Sequence, residues 1–118
     1  MDTLKAREDF EQVFSDGDAV RDRLFVVYAL DSSEPGVRMG MVVSRRLGRA
    51  VERNRVRRLI REVMRLHEEN VKSGVRLVVI ARRQARELAR RAPGYWKAEK
   101  SLVKLMKRLG VYEQESGI

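Results

Sequence analysis

RRLGRAVERNRVRRLIREVMR, residues 45–65, decides how this chain is read. Wound at about 100° per residue, it sorts into two arcs. Val56, Leu59, Ile60, Val63, Met64 and Leu66 share one arc, and Arg53, Asn54, Arg57, Arg58, Arg61 and Arg65 share the other. An apolar stripe of that width needs a core to pack on. The cationic arc, by contrast, works against the helix. Arg53, Arg55, Arg57 and Arg58 fall in its first half, where the macrodipole disfavours positive charge. Like charges four apart, such as Arg53 with Arg57 and Arg57 with Arg61, repel by about 0.2–0.5 kcal/mol each. Only Glu52 and Glu62 offset them. A merely solvated face usually mixes signs. The segment therefore predicts a helix over about residues 50–68 that offers arginine to a polyanion.

Working outward, residues 75–81, VRLVVIA, form a nearly unbroken apolar run that suits a central strand covered on both faces. Strand, helix and strand predict a crossover unit, right-handed by the general rule. Upstream, RLFVVYAL (23–30) and VRMGMVVS (37–44) read as strands joined by the turn residues Asp31 to Gly36. The short connection predicts an antiparallel hairpin. Gly40 inside the second strand suggests close approach of another backbone. Before them, about residues 4–16 predict a short helix capped by Thr3 and stopped by Gly17. Spacing alone places Phe10, Val13 and Phe14 in a core. After the central strand comes a short helix near residues 84–88, an interruption at Pro93-Gly94, and a last helix over about 95–109. Its apolar side carries Trp96, Leu102, Val103, Leu105, Met106 and Leu109; residues 110–118 read as a frayed tail. The order α-β-β-α-β-α predicts an α+β two-layer sandwich, helices on a mixed sheet of four strands or fewer.

The 118 residues suit a single domain, 1–118, with its core over about 4–109. The chain carries 26 basic and 17 acidic residues, a formal +9. Arg38 to Arg65 alone hold ten arginines against two glutamates, or +8. Such concentration is the electrostatic footprint of nucleic-acid binding. A membrane is a poor partner, because the basic helix has no large aromatic to insert among lipids. The chain has no cysteine, which excludes disulfides and thiolate ligands and fits a reducing cytoplasm. The single histidine, His67, lacks partners for metal binding or acid–base chemistry and reads as structural. No phosphate loop, dinucleotide fingerprint or zincin motif occurs. The chain alone is poorly equipped to break bonds.

Four blocks resemble the bacterial ribonuclease P protein family: EDFEQVFSDG, FVVYAL with GMVVSRRLG, GRAVERNRVRRLIRE centred on Arg53-Asn54-Arg55, and LVVIAR. Their order and spacing match from about Arg7 to Arg108. The resemblance implies an α/β sandwich similar to a ribosomal-protein domain, with an unusual left-handed crossover in place of the right-handed one expected above. It implies a non-catalytic subunit, monomeric per RNA, of a ribonucleoprotein endonuclease. There a large catalytic RNA binding Mg²⁺ hydrolyses precursor tRNA to release its 5′ leader, and the protein itself holds no cofactor or metal. Carried over by position, Arg45, Arg46, Arg49, Arg53, Asn54, Arg55, Arg57, Arg58 and Arg61 would contact the catalytic RNA. Phe10, Phe14, Val26, Tyr28, Arg46 and Arg82 would line the cleft for the single-stranded leader, which moves the two phenylalanines from core to groove. There are two departures: Val42 replaces a small polar residue of some relatives, and the basic N-terminal arm shrinks to Lys5 and Arg7. The alternatives are a ribosomal or general RNA-binding structural protein and a protein-only nuclease.

Overall fold

A computed structural model describes residues 1–91 and 94–113. Its elements are β1 (Asp2–Thr3), α1 (Arg7–Asp16), β2 (Asp18–Arg21), β3 (Phe25–Asp31), β4 (Val37–Val42), α2 (Ala50–His67), β5 (Val75–Ala81), α3 (Arg86–Arg90) and α4 (Gly94–Arg108). The mixed sheet has five strands in the order β1-β4-β5-β3-β2. The α+β class is as expected, but the sheet exceeds four strands because β1 and β2 add short outer pairings that a periodicity search does not register.

The apolar run of β5 dictates the topology. Val75, Leu77, Val78, Val79 and Ala81 are all buried, so both faces and both edges of this strand need partners. It pairs parallel with β4, Val37 opposite Val75, and antiparallel with β3, Val27 opposite Val79. The expected β3–β4 hairpin therefore does not form, since β5 lies between the two. Residues 32–36 bridge two strand spacings, about 10 Å, which five extended residues reach easily. They also clasp the loop entering β5. Ser32 N–H donates to Gly74 O at 2.8 Å, Gly74 N–H to Gly36 O at 2.8 Å, and Gly36 N–H to Ser73 Oγ at 2.6 Å.

On one face of the sheet, Phe25, Val27, Met39, Leu77 and Val79 pack against Val56, Ile60, Val63 and Met64 of α2 and Ala98, Leu102, Leu105 and Met106 of α4. Leu59 is half-buried and Leu66 is 54% exposed, so the stripe read from the sequence is trimmed at its α4 margin. Trp96 is 63% exposed instead of apolar core. It lies two residues, about 200° of helix, from the buried Ala98. Leu105 and Met106 define the stripe, and Trp96 lies off it.

The opposite face carries a smaller cluster, Leu4, Val13 and Val78, with Phe10, Tyr28, Leu30, Val42 and Ile80 around it. Here α1 crosses β3 and β5. It starts three residues later than expected because residues 2–4 are extended along β4; Leu4 N–H donates to Met39 O at 3.1 Å. Thr3 is thus a strand residue and not a cap. Gly17 ends α1, as expected, and must lack a side chain: a Cβ would sit 2.6 Å from Val13 O and 2.8 Å from Ala29 O.

Val111 and Tyr112 are docked and not frayed. Val111 is buried, and Tyr112 forms a bridge with Val71. The Tyr112 hydroxyl lies 2.7 Å from His67 Nδ1, while His67 Nε2 meets Glu99 Oε2 at 2.7 Å. His67 is a structural clamp between α2, α4 and this segment. Residues 114–118 of the expected tail lie outside the described residues.

Candidate nucleic-acid interface

A turn at Arg45–Leu47, pinned by the buried Leu47, delivers the chain to α2. Gly48 follows at a tight spot. A Cβ there would lie 2.5 Å from Glu52 Oε1 and 3.2 Å from Arg86 Nε. That clearance lets Glu52 fold back onto the helix start, where its Oε1 accepts the Arg49 N–H at 3.1 Å. Its Oε2 accepts Arg90 Nε at 2.6 Å, and Arg86 Nε lies 3.3 Å from both oxygens. The Arg90 guanidinium, then the Arg49 amide and Arg86, hold the Glu52 carboxyl at about 2 against the opposing effect of desolvation. Glu52 thus neutralises two α3 arginines and fixes α3 beside α2.

A depressed carboxyl contributes stability that is complete above the unfolded value of 4.5 and lost as pH falls through about 2. Glu52→Gln should therefore lower the urea midpoint at pH 7 and flatten its decline between those two values. A Gln variant as acid-sensitive as the parent would remove Glu52 from this role.

With Glu52 committed to α3, the α2 arginines stand largely free. Among the described residues, Arg45, Arg46, Arg49, Arg53, Arg57, Arg58 and Arg61 have no carboxylate oxygen within 4.0 Å. Arg65 pairs with Glu62 at 2.7 Å. Two arginines are oriented by the fold itself. Arg55 Nη1 donates to Ala89 O at 3.1 Å, which ties it towards α3. Arg57 Nη1 donates to Asn54 Oδ1 at 3.1 Å, and its Nη2 reaches Val43 O at 3.4 Å. Asn54 therefore spends its acceptor on Arg57 and leaves its amide N–H groups outward. Arg53, Arg57 and Arg61 recur every fourth residue, so the helix carries a row of guanidiniums (Arg53 and Arg57 half-buried, Arg57 braced, Arg61 exposed) of the kind that suits bidentate contact with phosphate.

A second surface lies on the other face of the sheet. The rings of Phe10 and Phe14 are 6.4 Å apart, and Phe14 meets Tyr28 edge-on at 5.0 Å. Phe14 is 38% exposed, and Phe10, Val26 and Tyr28 are half-buried, so this aromatic row is a partly open surface between α1 and β3 and not a sealed core. Gly40 serves the groove differently from expectation. What approaches it is the Phe10 ring, whose Cε1 would lie 2.6 Å from an added Cβ, and not another backbone. Alternation along β5 puts Arg76, Val78, Ile80 and Arg82 on this face with Val26 and Tyr28 of β3. Arg82 Nη1 donates to Asp22 O at 2.7 Å, which fixes one arm of its guanidinium at the β2–β3 turn. Arg46 is exposed on the turn leaving β4.

Two residues at this surface, Ile80 and Arg76, escape the sequence reading, in which Val42 stands only as a departure from relatives. Val42 and Ile80 flank the aromatics, and Arg76 lies beneath α1. Arg76 Nη1 donates to Gln12 Oε1 at 3.0 Å and its Nη2 to Glu34 at 3.4 Å; its Nε is buried without a partner. The period-2 pattern of VRLVVIAR marked Arg76 and Ile80 as groove-facing once that face was known.

The arrangement offers a cationic helix face and a partly open aromatic surface with arginine beside it. Residues 1–110 match the family described as Ribonuclease P. The ribonuclease P protein component of Bacillus pumilus (strain SAFR-032) is 38% identical over 113 residues, covering 95% of this chain and 91% of that protein. A structure of the Staphylococcus aureus RNase P protein superposes with a TM-score of 0.84 at 30% identity, covering 96% of this chain and 99% of that one. The Thermotoga maritima RNase P protein gives a TM-score of 0.82 at 31% identity, with 92% and 97% covered. This chain belongs to the ribonuclease P protein family.

Proposed function

We propose that the protein is the RNA-binding component of ribonuclease P, one copy per catalytic RNA in the cytoplasm, assisting removal of the 5′ leader from precursor tRNA. The row of guanidiniums on α2 without carboxylate partners carries this reading. Phosphates of a folded RNA would replace the absent carboxylates, and a folded RNA is bound through its shape and backbone without sequence readout. The groove beneath α1 would take the extended leader, bases against Phe10, Phe14 and Tyr28 and phosphates near Arg46 and Arg82. Hydrolysis belongs to Mg²⁺ held by the RNA. Among the described residues no three His, Asp or Glu side chains converge as a ligand set.

Reconstitution tests the assignment. The protein should raise 5′ cleavage of precursor tRNA by the cognate catalytic RNA at low Mg²⁺. No gain, with RNA binding intact, would point to a general RNA-binding role; cleavage by the RNA-free protein would point to a protein-only nuclease. Phe14→Ala tests the groove. Loss of one stacking contact, about 1–3 kcal/mol, should weaken affinity for leader-bearing substrate about tenfold and leave mature tRNA unaffected. Equal loss for both RNAs would place the leader elsewhere.

A further inference from the structure

We infer that the outer face of α4 is a second RNA-binding surface, one that stacks a base of an unpaired RNA segment on Trp96 and tracks its phosphates along a lysine stripe. Trp96, the only tryptophan, is 63% exposed, and the edge-on ring of Tyr95 at 5.5 Å props it. Tyr95 is itself held, its hydroxyl donating to Glu99 Oε2 at 3.1 Å. The Trp96 ring is therefore braced on one side before any ligand arrives, which lowers the entropic cost of stacking.

Lys97, Lys100, Lys104 and Lys107 follow at three- and four-residue intervals, Arg108 lies four residues after Lys104, and all five are exposed. Like charges at those spacings repel. The macrodipole accounts for Lys107 and Arg108 in the last turn but opposes Lys97 and Lys100 in the first half. Within 4.0 Å among the described residues, the stripe meets one carboxylate, Asp22 at 3.7 Å from Lys104. Glu99, the one acidic residue of α4, is turned away to His67 and Tyr95. Lys104, Lys107 and Arg108 also meet Asp22, the Tyr112 ring and Arg21 O, whereas Lys97 and Lys100 have no carboxylate within 4.0 Å among the described residues and stand ready for a polyanion.

RNA fits better than an anionic membrane. The apolar face of α4, Ala98, Leu102, Leu105 and Met106, is already buried in the core, so the helix has one aromatic and no apolar stripe to offer lipid. A lone exposed aromatic beside regularly spaced cations is the arrangement that single strands use. The surface belongs to neither the α2 row nor the groove beneath α1 and does not depend on their assignment.

Because Trp96 is the sole tryptophan, its fluorescence reads this surface directly. A twelve-nucleotide oligouridylate titrated into the intact protein should quench it. Lys97→Gln with Lys100→Gln should weaken the quenching constant at least fivefold and flatten its log-affinity salt slope by about 1.4, two contacts at about 0.7 each. Phe14→Ala and Arg53→Ala should leave the quenching unchanged. Oligouridylate binding seen by anisotropy without quenching would overturn the inference. So would quenching that disappears in Phe14→Ala, or quenching by phosphatidylserine vesicles but not by the oligonucleotide.

Discussion

Replacing Arg53, Arg58 and Arg61 together by alanine is expected to weaken binding of the catalytic RNA about a hundredfold at roughly 0.15 M salt, from three lost phosphate contacts. The same variant should melt no lower than the parent. None of the three guanidiniums has a carboxylate partner among the described residues, so no ion pair is lost, and Arg53, half-buried, gives up only packing of its stem. Repulsion of Arg57 by Arg53 and Arg61, about 0.2–0.5 kcal/mol per pair, is relieved, and alanine is the better helix former. The log-affinity salt slope should fall by about 2.7, and Arg53→Ala alone should account for about 0.9 of it. Filter binding across a salt series, beside a thermal melt, checks both halves. Unchanged affinity would remove α2 as the docking face. Lost affinity with a lower melting temperature would mean that the arginines hold the fold together.

The segment that carries this prediction was also the most legible. Residues 50–67 are helical within one residue of the sequence reading because an 18-residue run of 3.6-residue apolar periodicity leaves little choice. β5 was legible to the residue, since a seven-residue apolar run bounded by Gly74 and Arg82 has few alternatives. Its neighbours were not. Pairing between strands is a property of the whole sheet, and the short Asp31–Gly36 link is compatible with both a hairpin and a bridge over β5. β1 and β2 are two and four residues long and mostly exposed, so burial leaves no period in them.

The candidate site divides in the same way. Charge on the α2 face is written in the order of residues, and Arg53, Arg57 and Arg61 had to share a row. The groove was not written there. Spacing alone called Phe10 and Phe14 core, and only the family resemblance moved them to a cleft. What exposes them is the distance between α1 and the sheet, set by Phe10 resting on Gly40 and by Arg76 bound to Gln12, both contacts between segments far apart in the chain. Glu52 was read as a minor offset to the arginines. Its hold on Arg86 and Arg90, 34 and 38 residues away, appears only once α3 is placed.

The second large effect is expected at Ile60→Ala, on the reverse of the same helix. Ile60 is fully buried between the sheet and α2. Truncation should cost about 2–5 kcal/mol, the lost transfer energy plus the cavity left behind. For a chain of this size that lowers the melting temperature by about 10–20 °C. Affinity for RNA, measured where the variant is still folded, should not change, because Ile60 points away from the guanidinium row. Binding then acts back on folding. RNA at about one hundred times its dissociation constant binds only the native helix and should restore about 2.7 kcal/mol. The urea midpoint of Ile60→Ala, read by pulse proteolysis to which RNA is silent, should rise accordingly on adding the catalytic RNA. The midpoint of the triple arginine variant, with its hundredfold weaker binding, should rise by the equivalent of only about 0.4 kcal/mol at the same RNA concentration. If RNA fails to protect Ile60→Ala, the α2 row is not its docking face. If RNA protects both variants equally, it is held by a surface other than α2.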